Sequence, residues 1–135
     1  MEQKIIGMVF PITNEMLSIL KQRKSAVFCK FTPQETLPKQ LKIKQKIIFY
    51  SSQHILGEAV IDKIELKSPL KILNEYIQSL LINEKEFKDY VGTRLAKKML
   101  LMKLSKIKIY RKGLNPLYPV PMSGRYIREK EYQLL

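Results

Sequence analysis

The sequence predicts an α+β fold, a small mixed β-barrel with two or three flanking helices. About six strand-like segments occur in 135 residues, and the helical patterns are grouped between them, without the regular alternation of a doubly wound sheet. The segment Ile55–Leu66 has apolar residues in both alternating phases, as a strand buried on much of both faces would. Within it, Gly57 indicates a bulge, a barrel corner or a close approach by a ligand or another backbone. The length fits one domain over residues 1–135.

The first half of the chain predicts strands and one short helix. Thr13 or Asn14 can cap that helix, whose apolar residues recur at helical spacing. A third strand and the one that opens at Ile55 are joined by a tight polar turn containing His54, which we expect to be solvent-exposed or a ligand contact. The third strand is predicted at Ile47–Tyr50, and the other strands at Lys4–Phe10, Ala26–Phe31 and Arg125–Gln133. Lysines that alternate with apolar residues before Ile47 are expected to face water.

The second half contains two helix signals and one ambiguous segment. Ser68 followed by Pro69 predicts a helix that runs to about Leu81. Asn83 predicts the cap of a second, shorter helix that ends near a glycine. The segment Thr93–Ile109 satisfies either an amphipathic helix or a buried strand, and only its end, where lysine and isoleucine alternate, favours extended structure.

Charge is the strongest functional signal in the composition. The chain has 25 Lys and Arg against 12 Asp and Glu, a formal charge of +13. Residues 90–128 contain basic side chains and no acid, whereas the acids gather between Glu58 and Asp89. Such an excess indicates a polyanionic partner, of which nucleic acid is the commonest. The alternative is a compositional bias of the genome or of a hot habitat, in which surface lysines only solubilise the protein.

Other chemistry has little support in the sequence. One histidine and one cysteine do not make a typical zinc site, and neither a phosphate-binding loop nor a Gly-x-Ser-x-Gly elbow occurs. Cys29 lies in an apolar run and is interpreted as a small buried hydrophobe. We therefore predict no metal and no cofactor. Since neither a signal peptide nor an apolar run long enough for a membrane span is visible, a cytoplasmic protein without membrane contact is expected.

Four segments together resemble a known group of proteins: IIGMVFPIT, FYSSQHILGEAVIDKIEL, LLMKLSKIKIYRKGLNP and YPVPMSGRYIRE. They are similar to an uncharacterised, mainly archaeal family of the PUA superfamily, close in fold to ASCH domains, and the similarity covers nearly the whole chain. The resemblance implies a pseudo-barrel with a cleft on one side that is used for RNA or other nucleic-acid ligands. It also implies an alternative function, because some ASCH proteins are hydrolases that act on RNA or on acetylated cytidine.

The hydrolase alternative names three catalytic candidates through the resemblance. The segment LKQRKSAVFCKF matches the Gly-x-Lys-Thr region of ASCH proteins, so that Lys24 and Ser25 take the Lys-Thr positions and Glu58 is the candidate acid. Gln22 stands where the glycine is usual. A lysine of lowered pKa beside a carboxylate and a hydroxyl can act as a base in hydrolysis. The same residues can instead form a hydrogen-bonded ion pair at a barrel mouth.

For nucleic-acid binding, with RNA preferred over DNA as partner, the sequence supplies cations and aromatic rings. Cations on a shared cleft would neutralise phosphates, and exposed rings would stack on bases. The basic candidates are Lys21, Arg23, Lys24, Lys30, Arg94, Lys97, Lys98 and Arg125, and the aromatic candidates are Phe49, Tyr50, Tyr118 and Tyr126. For each ring a place in the core is the favoured alternative, because aromatic side chains contribute much of a small core. A third hypothesis, an adaptor for protein contacts, predicts a missing cleft and an exposed apolar patch.

Overall fold

A computed structural model describes residues 4–135, so the first three residues of the predicted domain lie outside the described range. Within that range six strands form one sheet, and four short helices flank it. The strands are β1 (Ile5–Pro11), β2 (Ser25–Lys30), β3 (Lys46–Ser51), β4 (His54–Lys67), β5 (Met99–Leu114) and β6 (Arg125–Arg128). The helices are α1 (Asn14–Leu20), α2 (Pro69–Tyr76), α3 (Glu84–Val91) and α4 (Glu129–Gln133), and a 3₁₀ turn spans Pro33–Glu35.

The sheet is mixed but open, which confirms the α+β class and corrects the predicted barrel. Its strand order is β2-β5-β4-β3-β1-β6. Only β1 and β3 are parallel, and every other pair is antiparallel. A closed barrel would require β2 to pair with the strand at the opposite edge. That does not occur, because β6 already occupies the outer edge of β1 and the sheet ends there.

The open sheet is nevertheless strongly curved around its main core. Phe10 on β1 and Phe28 on β2 have ring centroids 5.4 Å apart, although three strands separate β1 from β2 in the sheet order. Side chains from one face of the strands, such as Met8, Ile47 and Ala59, fill the space inside this curve together with Leu20 of α1. The curvature brings the two halves of the sheet close together but leaves a gap between β1 and β2.

The opposite face of the sheet carries two smaller cores. At one end, α2 and α3 pack Ile72 and Phe87 against Met99 and Leu101 of β5. At the other end, Ile48 and the residues around it are covered by α4 and the C-terminal segment. Alternation along the strands explains the division, since neighbouring residues of a strand point to opposite faces. Helices α2 and α3 therefore pack on the sheet face opposite the main core.

Several local predictions are confirmed by the helix ends. The backbone N–H of Met16 donates to the hydroxyl of Thr13 (3.1 Å), and that of Glu86 donates to the Asn83 side chain (2.8 Å), so both predicted caps are present. Helix α2 is shorter than expected and ends at Tyr76. The chain after it is diverted because the Val27 N–H donates to the Ser79 carbonyl (2.8 Å), which ties the segment to β2.

Two predictions about strands needed the tertiary structure. The ambiguous segment Thr93–Ile109 is extended from Met99 onward, where it belongs to the 16-residue strand β5. This strand forms the longest pairing of the sheet, with β4. The predicted last strand Arg125–Gln133 is divided into β6 and α4. Gly57 lies between two register shifts, where an added Cβ would lie 2.6 Å from the carbonyl oxygen of Lys108. Close approach by a neighbouring backbone is therefore the reason for a glycine at this position.

Candidate nucleic-acid interface

The gap between β1 and β2 forms a cavity of about 340 Å³, which we call the open-edge cleft. It exists because the curved sheet brings these strands near each other without pairing them. Two aromatic rings, two methionines and several prolines give it a mainly apolar wall, with one lysine and three hydroxyls among them. The lining residues are Met8, Phe10, Lys30, Phe31, Thr32, Pro33, Thr36, Pro38, Leu100, Met122 and Ser123.

Lys30 is the charged residue of this cleft. It ends β2, its Nζ lies 4.8 Å from the centroid of the Phe10 ring, and it donates a hydrogen bond to the carbonyl oxygen of Met122 (3.4 Å). Burial lowers the pKa of the Lys30 ammonium from its ordinary value. An ammonium has three N–H donors, and the described contact uses one. Lys30 can therefore offer the others to an anionic or carbonyl oxygen that enters the cleft.

Arg94 supports one wall of the cleft from behind. Its guanidinium carbon lies 3.9 Å from the centroid of the Phe31 ring, and its N–H groups donate to the carbonyl oxygens of Tyr90 and Val91. The Tyr90 hydroxyl in turn accepts from the backbone N–H of Phe31 (3.0 Å). Arg94 thus acts mainly by holding the Phe31 ring. The arrangement resembles a stacking platform with a cation on one side.

Two further predicted cations follow Arg94 in the chain. The Lys98 backbone N–H donates to the Glu35 carboxylate (2.5 Å), which attaches this segment to the loop that borders the cleft. The side chains of Lys97 and Lys98 are exposed. The structure therefore brings Lys30, Arg94 and the segment of Lys97 and Lys98 around one loop, as the sequence-based hypothesis required.

The cations between α1 and β2 do not join this group. Lys21, Arg23 and Lys24 precede β2, whereas Lys30 ends it, and the six residues of the strand span about 16 Å. Tyr50 packs with the core on the opposite face of the sheet. The turn after α1, with Lys21, Arg23 and Lys24, therefore lies at the far end of β2 from the open-edge cleft, and a binding role for these residues stays a prediction.

The remaining aromatic and basic candidates have mixed roles. Phe49 is fully buried, so the core interpretation holds for it. Tyr126 lies beside Met8 in the sheet, packs against the main core, and accepts a hydrogen bond from the Gln40 N–H (2.9 Å). Arg125 makes a bidentate ion pair with the buried Glu131 (2.8 and 2.7 Å). Its guanidinium is therefore committed to an internal contact.

Glu58 forms the second polar cluster of the protein, on the sheet face opposite the main core. It is 8% exposed and forms an ion pair with Lys46. The Tyr110 hydroxyl donates to the Glu58 carboxylate (2.6 Å), and so does the Tyr132 hydroxyl (2.8 and 3.0 Å). Lys46 also donates to the Tyr132 hydroxyl (2.7 Å). These contacts, here called the Glu58 network, join β3, β4 and β5 to α4.

The electrostatics of the network favour an ionised carboxylate. Burial opposes the charge on Glu58, but hydrogen bonds from Lys46, Tyr110 and Tyr132 outweigh it and hold the pKa of the carboxyl below its ordinary value. Burial likewise opposes the charge on Lys46, and its bonds to Glu58 and Tyr132 outweigh this and raise its pKa. Burial and the bond to Glu58 raise the pKa of Tyr110, which stays a neutral donor. The network is thus a satisfied internal ion pair.

The structure does not join the three catalytic candidates by hydrogen bonds. Ser25 is opposite Ser105 of β5, and Ser105 is opposite Val60 of β4, so that β5 lies between Ser25 and the strand of Glu58. Lys24 is exposed, and among residues 4–135 the described partners of Glu58 exclude both Lys24 and Ser25. Hydrolysis by these three residues stays a prediction, whereas the ion-pair alternative applies to Glu58 with Lys46 as its partner.

Comparisons with known proteins now identify the family. A family model described as "Domain of unknown function (DUF365)" matches residues 5–129. The chain belongs to this family. An uncharacterised protein of Methanocaldococcus jannaschii is 36% identical to the DUF365 chain, over 65% of this chain and 94% of that protein. The sequence-based resemblance to an uncharacterised archaeal group is thereby confirmed.

Solved structures show which fold the DUF365 chain shares. The crystal structure of ASCH from Zymomonas mobilis has a TM-score of 0.76 at 18% identity, covering 95% of this chain and 92% of that one. A serine-to-alanine mutant of the same protein has a TM-score of 0.80 at 16% identity, covering 98% and 96%. At this level of identity the likeness shows the fold alone. The fold is therefore ASCH-like, as the resemblance implied.

Several residues of the open-edge cleft and of the Glu58 network were not among the candidates selected from the sequence. Phe10 and Met8 lie in the predicted first strand. Which face of that strand borders a cleft depends on how strands that are distant in the sequence approach each other, and the sequence pattern does not show this. Lys46 is expected from the sequence to face water, yet it contacts the buried Glu58 and the half-buried Tyr132. Lys46 is two residues from the fully buried Ile48 and shares its face of the strand, and this spacing was the available signal.

Two further observations concern only the part of the chain that the structure describes. No group of three or more His, Cys, Asp or Glu side chains there is arranged to hold a metal ion. None of the four helices in residues 4–135 has the length and apolar character that crossing a membrane requires.

Proposed function

We propose that this protein binds single-stranded nucleic acid, RNA in preference to DNA, with one base in the open-edge cleft. The observation that carries the proposal is the position of Lys30, a partly desolvated cation over the Phe10 ring inside a mainly apolar cleft. A nucleotide combines a flat apolar ring with anionic oxygens. A cleft that places a cation beside an apolar wall is complementary to such a ligand. Duplex nucleic acid keeps its bases stacked, so the cleft favours an unpaired strand.

Aromatic groups supply the first part of the interaction. Phe31 is the half-buried ring of the cleft wall and is held in place by Arg94 and Tyr90, whereas Phe10 is 1% exposed and lies beneath Lys30. Stacking of a base on an aromatic side chain contributes about 1–3 kcal/mol and tolerates any sequence. A rigid ring loses little conformational freedom when the base binds. The wall is therefore prepared for a base before any ligand arrives.

Charge supplies the second part. Lys30 and the segment of Lys97 and Lys98 lie around the cleft, within a chain of formal charge +13. Phosphate contacts of this kind release counterions, so affinity should fall as salt rises, with a slope of about 0.7 per phosphate contact for a single strand. The preference for RNA over DNA is supported only by the ASCH-like fold and by the resemblance to the PUA superfamily.

Replacement of Lys30 by methionine tests the proposal, because methionine keeps the apolar stem and removes the charge. We expect affinity for a labelled single-stranded RNA to fall about ten-fold and the salt slope to decrease by about one phosphate contact, as measured by fluorescence anisotropy. Lys112→Met is the matched control. It removes one exposed lysine from the other end of β5, far from the cleft residue Leu100, and should change affinity little.

Two results would count against the cleft, and a third against the preference for RNA. If wild type and Lys30→Met bind RNA with equal affinity, Lys30 is not part of the interface. If Lys30→Met and Lys112→Met lose affinity equally, the attraction is diffuse and arises from the net charge. The same RNA and DNA sequences, compared under one salt condition, test the stated preference. Equal binding of the two would contradict it.

A further inference from the structure

A second surface of the protein combines exposed apolar groups with cations. Tyr118 is 61% exposed, Leu117 47% and Leu134 62%. These three side chains line one cavity of about 370 Å³, together with Arg128 and Lys130. We call this set the Tyr118 patch. Single exposed apolar residues are normal on a protein, but a cluster of them rimmed by cations marks an interaction site.

The backbone of Tyr118 is fixed while its ring stays exposed. The guanidinium of Arg125 donates to the carbonyl oxygens of Tyr118 (3.0 Å) and Pro119 (2.9 Å), and the same group is held by the bidentate ion pair with Glu131. The Arg125 guanidinium also lies 5.7 Å from the centroid of the Tyr118 ring. The loop therefore presents one face of an aromatic ring to solvent in a set position.

The net charge of the patch favours an anionic ligand. Glu131 is buried and neutralised by Arg125, so its carboxylate adds little negative potential to the surface. Arg128 and Lys130 add positive charge at the rim. A ligand that suits an exposed ring next to cations carries both an aromatic ring and a phosphate. A nucleotide has this chemistry.

The Tyr118 patch is continuous with the open-edge cleft along the chain. Met122 and Ser123, which line the cleft, follow Tyr118 by four and five residues, and Tyr126, which lies beside the cleft residue Met8, also lines the cavity of the patch. A nucleic-acid strand that passes over the segment between Tyr118 and Met122 would contact both surfaces.

We propose that the Tyr118 patch is a second nucleotide subsite, in which Tyr118 stacks on a base and Lys130 contacts a phosphate of the strand whose neighbouring base occupies the open-edge cleft. The proposal rests on the proposed function, since it places a second nucleotide of the same ligand. It predicts that a longer oligonucleotide binds more tightly than a single nucleotide, because the two subsites act together.

The absence of tryptophan from the sequence allows a direct optical test. In the Tyr118→Trp variant the introduced ring is the sole tryptophan, and we expect its fluorescence to be quenched when an octauridylate binds and to stay unchanged with uridine monophosphate. Tyr76→Trp, with its reporter on α2, is the matched control and should show no quenching by either ligand.

Tyr118→Ala should weaken octauridylate binding at least about five-fold without changing the affinity for the monophosphate, whereas Tyr118→Phe should bind as the wild type does.

The outcomes separate this proposal from the one on which it rests. If octauridylate binds in a Lys30-dependent way while Tyr118→Ala has wild-type affinity and Tyr118→Trp is not quenched, the second subsite is wrong and the cleft remains. If the wild-type protein binds no oligonucleotide, both proposals fail, and a protein partner becomes the better occupant of the patch. Quenching of Tyr118→Trp and Tyr76→Trp alike would indicate a nonspecific effect and would also overturn the subsite.

Discussion

Replacement of Glu58 by alanine is expected to lower the free energy of unfolding by about 3–5 kcal/mol, the cost typical of removing one partner from a buried ion pair. Glu58 is the common acceptor for Lys46, Tyr110 and Tyr132. Without it, the Lys46 ammonium and the two hydroxyls lose their shared acceptor in a partly buried site, and α4 loses one of its polar contacts with the sheet. Urea denaturation of the variant and the wild type measures the difference.

Glu75 offers a matched control for Glu58. It also forms an ion pair with a lysine, Lys67, but its side chain is 47% exposed. Glu75→Ala should therefore be much less destabilising than Glu58→Ala, because water replaces the lost partner at the surface. Equal losses in the two variants would show that the Glu58 network does not stabilise the fold as an internal ion pair.

The pH dependence gives an independent check on the charge of Glu58. Because the folded pKa of this carboxyl lies below its ordinary value, its ionisation contributes stability above the unfolded pKa of about 4.3, and that contribution is lost as the pH falls through the folded pKa. Glu58→Gln lacks this titration. The difference in unfolding free energy between wild type and Glu58→Gln should thus narrow from pH 7 to pH 3, and a constant difference would contradict an ionised Glu58.

Gly7→Ala is the second substitution with a large expected effect on stability, about 3 kcal/mol or more. Gly7 of β1 is opposite Lys46 of β3 in the parallel pair, and an added Cβ would overlap the carbonyl oxygen of Lys46. Because that oxygen belongs to a strand backbone, it cannot move without breaking the pairing. Displacement of Lys46 would also disturb the Glu58 network. Thermal or urea denaturation measures the loss.

Gly113→Ala serves as the control for this substitution. An added Cβ at Gly113 would lie 2.9 Å from the Cβ of His54, so the first residue of β4 and the end of β5 must separate by a few tenths of an ångström. Because this contact is longer than the overlap at Gly7 and lies at the strand ends, its expected cost is smaller, about 1 kcal/mol. A Gly7→Ala variant as stable as Gly113→Ala would show that the β1–β3 pairing tolerates a side chain at this position.

Much of the fold was predictable from local signals. Apolar runs bounded by proline and glycine located the strands, and Thr13 and Asn83 marked two helix starts, because strand alternation and helix caps depend on nearby residues. Sheet closure was not predictable, since it depends on which strand takes the outer edge of β1. The partner there is β6, which has four residues and a weak pattern. The same glycine rule that singled out Gly57 also applies to Gly7.

The charge pattern of the sequence selected candidate residues of the site but not the contacts between them. Lys30 and Arg94 were selected from the charge pattern, and the structure connects them through Phe31. The partner of Glu58 depends instead on the pairing of β3 with β4. That register places Ile48 opposite Glu58 and brings Lys46, two residues away on the same face, within reach of the carboxylate. Charge composition contains no information about such a register.

Methionine methyl groups provide the most direct test of binding in the open-edge cleft. Met8 and Met122 line the cleft, whereas Met99 and Met102 are fully buried away from it. In a protein with ¹³C-labelled methionine methyls, saturation with single-stranded RNA should shift the resonances of Met8 and Met122 and leave those of Met99 and Met102 in place. Saturable RNA binding without any change at Met8 and Met122 would contradict a base in the cleft.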